Sequence, residues 1–255
     1  MTTKELCVRS ALLLVLTSNA APAHAAPNLS GRWARLEVTT ALSKIPVLGD
    51  LTSQTRAWTI VTLRQQGEGL AVQEQLCGLQ NETLGGAVQT VFPPAFIQAV
   101  SGHPRQATLR VRGSKLEYQE DRPLRVNGAQ LADLKNDALP SSPKDPRLID
   151  PDGDGQPGLT VRIEGFVEGQ IYVVQRDASQ LRGEVHTNGR LIKGLIRWSA
   201  EQSVVGASRD MLNKNPQSRP HPEPRRSYFR MRRIPNSASC QQVLARRDTL
   251  FGPKA

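Results

Sequence analysis

Between residues 159 and 198 apolar and polar side chains alternate, and no other feature of the chain restricts its fold as tightly. Leu159, Val161 and Ile163 alternate with Thr160, Arg162 and Glu164, and Leu181, Val185 and Thr187 with Arg182, Glu184 and His186. Successive side chains of a strand point to opposite faces, so a period of two marks strands with one buried face. Asn188-Gly189 follows, a pair that tolerates the positive φ of a type I′ turn and so marks a hairpin. Ile192, Ile196 and Trp198 then share one face. With the apolar run from Ile171 to Val174 between them, these segments predict a four-stranded antiparallel meander over 159–199.

Less regular alternation recurs upstream and near the end. Strands are expected at 32–38, 56–65, 70–77, 107–112, 115–119 and 226–234, and short helices at 94–100 and 241–247. Residues 41–48 read as an irregular excursion. Segments 136–158, with five prolines, and 213–224, with four, read as long loops. The class expected is all-β, an antiparallel β-barrel or a β-sandwich with a few short helices, forming one domain over 26–255. Twenty Gly and eighteen Pro break any sustained heptad, and no apolar run reaches the roughly 18 residues of a membrane span.

Residues 1–25 read as a secretory signal peptide. Lys4 and Arg9 precede the apolar run from Ala11 to Leu16, and Ala23-His24-Ala25 supplies small residues at a cleavage site. The chain is therefore expected to be exported, to a periplasm or the cell exterior. Its two remaining cysteines, Cys77 and Cys240, are then expected to form one disulfide. Basic charge is concentrated at the end: residues 204–255 hold eleven Lys and Arg against three Asp and Glu. For an exported chain this basic segment points to anionic polysaccharide or lipid head groups as partners, and away from nucleic acid.

Asp150, Asp152 and Asp154 occupy alternate positions, followed by Gly155 and Gln156. The spacing lets three carboxylates fold round one hard cation, and Gly155 permits the sharp turn that brings the Gln156 carbonyl into the shell. The stretch resembles an EF-hand calcium loop and, more closely, the aspartate-rich loops of thrombospondin type 3 repeats and dockerins. Val161 stands where an EF-hand has its bidentate Glu, and a strand follows instead of a helix. The expectation is calcium held by Asp150, Asp152, Asp154 and Gln156, with Glu164 or Asp145 to complete the shell.

Gly31-Arg32-Trp33 is similar to the Gly-x-Trp that opens the first strand of lipocalin-like (calycin) barrels. The resemblance implies that Trp33 closes a barrel floor and that Arg230, Arg232 or Arg233 packs over it as a cation–π partner. It also suits a small apolar ligand held in the barrel mouth. Catalytic signals are thin: Glu184 and His186 share a strand face, but no nucleophile motif, His-x-x-x-His pair or phosphate-cradling glycine loop accompanies them. No catalytic residue is assigned. The function expected is non-catalytic binding with a calcium-stabilised loop; the alternatives are a polyanion-binding surface and a hydrolase built on Glu184 and His186.

Overall fold

Trp33, Arg35 and Glu37 face one way along the first strand, Ala34, Leu36 and Val38 the other, and both sets are covered by other parts of the chain. The computed structural model describes residues 27–45, 49–83, 88–186, 188–215 and 217–252; the expected signal peptide lies outside them. The first half supplies β1 (Gly31–Ile45), β2 (Gly49–Gln66), β3 (Gly69–Thr83), β4 (Val88–Val91), α1 (Pro94–Ala99), β5 (Arg105–Arg112) and β6 (Lys115–Asn127). The second half supplies β7 (Leu159–Gly165), β8 (Gly169–His186), β9 (Leu191–Ala207), β10 (Gln217–Pro220), β11 (Tyr228–Arg233), α2 (Cys240–Ala245) and α3 (Arg247–Phe251).

Among the described residues every pairing is antiparallel, and the hydrogen bonds return to their starting strand. The ring runs β1, β2, β3, β5, β6, β8, β9, β11 and back to β1. Three places in it are each filled by two strands end to end. On one edge of β1, β11 covers Trp33–Val38 and β10 covers Ala41–Lys44. On β3, β5 covers Gly69–Val72 and β4 meets Asn81. On β8, β7 covers Gly169–Val173 and β6 covers Gln175–Glu184. The mostly antiparallel β class is as the alternation implied, and closure leaves little sheet edge exposed.

The interior is layered. At one end Trp33, Leu70, Tyr118, Leu181, Ile192 and Phe229 pack together and are essentially inaccessible to water. Burying each such side chain contributes about 1.5–3 kcal/mol. The next level holds charged groups, described below. At the far end Phe96 of α1 packs on Leu159, Val161, Val173 and Val204. Outside the ring, α2 and α3 cover Leu36, Val38, Trp58 and Ile60 with Val243 and Phe251.

Several boundaries differ from those expected. The two strands expected around 171–174 and 181–187 are one continuous strand, β8, so three strands span 159–207. The polar stretch between them stays extended because β6 and β9 hydrogen-bond it on both sides. β1 continues through the supposed excursion as far as Ile45, paired with β2 and β10. β6 runs past Pro123 because the register shifts between Arg122 and Arg125, a bulge that spares the ladder the N–H proline lacks. The second proline-rich segment contains β10.

Candidate functional site

Residues 128–158 link β6 to β7 and lie over the outer face of β8 and β9, where Ala129 and Leu139 pack on Val174 and Val205. At the end of this link Asp150, Asp152 and Asp154 converge, each offering a carboxylate oxygen within 4.8 Å of the others. Asp150 organises the turn. Its Oδ1 accepts the Gly153 N–H at 2.8 Å and its Oδ2 the Gly155 N–H at 2.8 Å. Gly155 has φ of 83°, a left-handed conformation that only glycine adopts freely. Asp152 Oδ2 accepts the Thr160 N–H at 2.8 Å and ties the loop to β7, whereas its Oδ1 is buried without a hydrogen-bond partner. Gln156 donates its N–H to Asp154 Oδ1 at 2.9 Å.

Burial works against ionisation of Asp150, but the N–H groups of Gly155 and Gly153 outweigh it and hold the carboxyl below its ordinary range. Burial raises that of Asp152, and the charge of Asp154 adds to the rise. The two residues expected to complete a cation shell are otherwise engaged. Asp145 is forked by Arg147 at 2.7 and 3.0 Å, and Glu164 pairs with Arg162 at 3.2 Å.

Inside the ring lies a belt of charge that no motif announced. Arg35 contacts Glu37 at 2.7 Å, Glu120 at 3.0 Å, and Glu74. Arg105 reaches Glu74 at 2.7 Å, and Arg122 reaches Glu120 at 2.9 Å and Glu37 at 2.7 Å. Tyr118 donates its hydroxyl to Glu120 at 2.6 Å. Three guanidinium groups thus meet three carboxylates. For Glu37 and Glu120 burial opposes ionisation, yet the neighbouring Arg122 and Arg35 charges prevail and bring both carboxyls down to about 2. The signal for this belt is parity: Trp33, Arg35 and Glu37, like Tyr118, Glu120 and Arg122, continue an inward face from apolar into charged residues.

A groove of about 730 Å³ lies outside the ring, over β8, β9 and β11. Its floor is backbone. Gly183 and Gly194 face each other across β8 and β9, and a Cβ on Gly183 would stand 2.5 Å from the Lys193 carbonyl oxygen and 2.9 Å from the Phe229 ring. Tyr118 and Phe229, the next residues along that row, approach over the pair with ring centroids 6.1 Å apart. The walls include Arg182, Lys193, Arg225 and Arg230. Glu184 and His186 lie there too, 3.9 Å apart. Glu184 is held by Lys115 at 2.6 Å, a hydrogen bond that keeps its carboxyl below the usual range and makes it a weak base.

Cys77 and Cys240 form the expected disulfide, joining β3 to α2. Of the three candidate arginines, Arg233 stands over the Trp33 ring, 5.3 Å from its centroid, while the Trp33 indole N–H donates to the Leu29 carbonyl at 2.9 Å. Among the described residues no helix is long and apolar enough to cross a membrane. Compared with known proteins, the chain matches no family model and is similar to no curated protein.

Proposed function

We propose that this is an exported, non-catalytic binding protein that takes up one calcium ion at Asp150, Asp152 and Asp154. The observation that carries the reading is the convergence of three carboxylate oxygens within 4.8 Å. Oxygens sharing one Ca²⁺ at 2.3–2.6 Å lie at most about 5 Å apart, so the cluster has the dimensions of a shell. The buried, unpartnered Asp152 Oδ1 supports it, because a buried carboxylate oxygen calls for a partner and a cation supplies one. With Asp145 and Glu164 committed elsewhere, water fills the remaining positions, which suits the weak 10⁻⁴–10⁻³ M range of extracellular calcium modules. Export is supported by the signal-peptide pattern together with the disulfide. Non-catalytic binding is supported by Glu184, whose carboxylate is engaged by Lys115 at 2.6 Å, while the packing of Trp33, Tyr118 and Phe229 next to the charge belt directs recognition to the outer surface.

Thermal unfolding in excess chelator and in 5 mM calcium tests the site. Native-state binding in the stated affinity range stabilises by about 1–2 kcal/mol, which raises the midpoint by roughly 2–8 °C. Asp152→Asn with Asp154→Asn removes the calcium-dependent part, and magnesium substitutes poorly because it demands a smaller octahedral shell. Coincident wild-type midpoints in the two buffers, with no heat of binding by calorimetry, would refute the calcium reading.

A further inference from the structure

The groove over Gly183 and Gly194 is one end of a longer cationic track. A second depression, of about 270 Å³, adjoins it and shares Arg182, Gly183 and Glu184, adding Arg110 and Arg112 from β5. Together the two are lined by six Arg and Lys side chains and by two carboxylates, Glu117 and Glu184. Both carboxylates are already neutralised from within the sheet, Glu117 by Arg112 at 3.2 Å and Glu184 by Lys115 at 2.6 Å. Arg110, Arg182, Lys193 and Arg225 have no carboxylate within salt-bridge distance among the described residues. Arg230 is held in place by donating to the Phe251 carbonyl at 2.7 Å while lying over the Tyr228 ring.

Register sets the direction of the track. Arg110 stands opposite Glu117, Glu117 opposite Glu184, Glu184 opposite Lys193, and Lys193 opposite Arg230. The row therefore crosses five adjacent strands, four spacings of about 4.8 Å, and is roughly 19 Å long. One phosphate or sulfate ion would meet only a fraction of it. A linear polyanion would meet all of it.

We propose that this track binds a single strand of an anionic polysaccharide, whose sulfate, phosphate or carboxylate groups meet Arg110, Arg182, Lys193 and Arg225 on and beside the row. The guanidinium groups suit such oxyanions because they donate two parallel hydrogen bonds. Leu195 provides an apolar surface for sugar rings, and Gln119 and His186 provide groups for hydroxyls. Single-stranded nucleic acid is disfavoured because its affinity draws on free aromatic faces for base stacking, and the Tyr228 face is occupied by Arg230. A lipid surface is disfavoured because these cations line concave depressions. The assignment rests on the non-catalytic reading but not on calcium: Gly183 lies ten residues along β8 from Val173, the residue paired with the first position after the Asp loop, about 33 Å away.

The test is calorimetric titration of the mature, disulfide-bonded protein in 50 mM salt with short dextran sulfate, polygalacturonate and neutral dextran. Parallel arms use a single-stranded oligonucleotide and phosphatidylglycerol vesicles. Binding to one or both charged glycans and none to neutral dextran is expected, with the two charged probes separating sulfate from carboxylate recognition. Arg182→Ala with Lys193→Ala should weaken glycan binding at least tenfold and flatten the slope of log Kd against log salt by about 1.4, since two fewer counterion-releasing contacts remain. Arg64→Ala with Arg219→Ala removes the same charge elsewhere on the surface and should leave binding unchanged. Asp152→Asn with Asp154→Asn should bind glycan as the wild type does, so this proposal and the calcium reading fail separately. Equal losses in the two arginine-containing double variants, no loss in the first, or tighter binding of the oligonucleotide or vesicles than of any glycan would overturn the proposal.

Discussion

Glu120 is fully buried and accepts from Arg35, Arg122 and the Tyr118 hydroxyl. Removing one member of such a cluster strands the opposite charge in a low-dielectric interior, which is why breaking a buried pair is more damaging than its net contribution suggests. Glu120→Gln should therefore destabilise by about 3–5 kcal/mol in urea unfolding. Replacing Arg35 and Glu120 together by Met and Leu should be milder than the sum of the two single changes, because neither charge is then left alone. A Glu120→Gln protein within 1 kcal/mol of the wild type would show that the belt adds little to stability. At this scale the sequence is half legible. The Tyr118, Glu120, Arg122 parity announces which way the side chains face, but nothing local says that Arg35, 85 positions away, is waiting opposite.

The hairpin at Asn188-Gly189 forms where its dipeptide placed it: His186 pairs with Leu191, and Asn188 and Gly189 both have positive φ. What that local signal did not convey is the close approach of β8 and β9 a few residues further on. A side chain at Gly194 would run into the Arg182 carbonyl oxygen and the Gly183 backbone, and backbone cannot move aside as a flexible side chain can. Gly194→Ala should thus destabilise by about 3 kcal/mol or more, the upper part of the overpacking range, measured by thermal or urea unfolding. A neutral Gly194→Ala would mean that the strands separate easily there and that the groove floor is soft. The α2 start illustrates the opposite case, a helix cap set by neighbours in sequence. Ser239 Oγ accepts the Gln242 N–H at 3.3 Å while the Gln242 side chain accepts the Ser239 N–H at 2.9 Å, a capping box readable from four residues.

For the fold as a whole, the belt predicts how the protein meets acid. Glu37 and Glu120 have carboxyls held at about 2 in the native state against an ordinary 4.5. The unfolded chain binds protons as pH drops past 4.5, while the native state resists until about 2. Their contribution is therefore complete above 4.5 and is lost as pH falls from 4.5 towards 2. Each group represents on the order of 3 kcal/mol, so urea midpoints should be level between pH 7 and 5 and fall steeply below 4.5. A midpoint unchanged down to pH 2.5 would show that the belt is not ionised as described.

The features that the chain specified by itself are those whose partners are near in sequence or forced by number. Alternation made the strands, Asn188-Gly189 made a hairpin, and Asp150 to Gly155 gathered three carboxylates. Two cysteines in the expected mature chain left a single intramolecular pairing. Ring closure, the charge belt and the cationic track were decided only in three dimensions. A period of two assigns each side chain to a face, but it does not say which strand lies alongside or at what register. Lys193 stands opposite both Glu184 and Arg230 because ladders across three strands agree on one register, and that agreement is a property of the closed sheet, not of any segment within it.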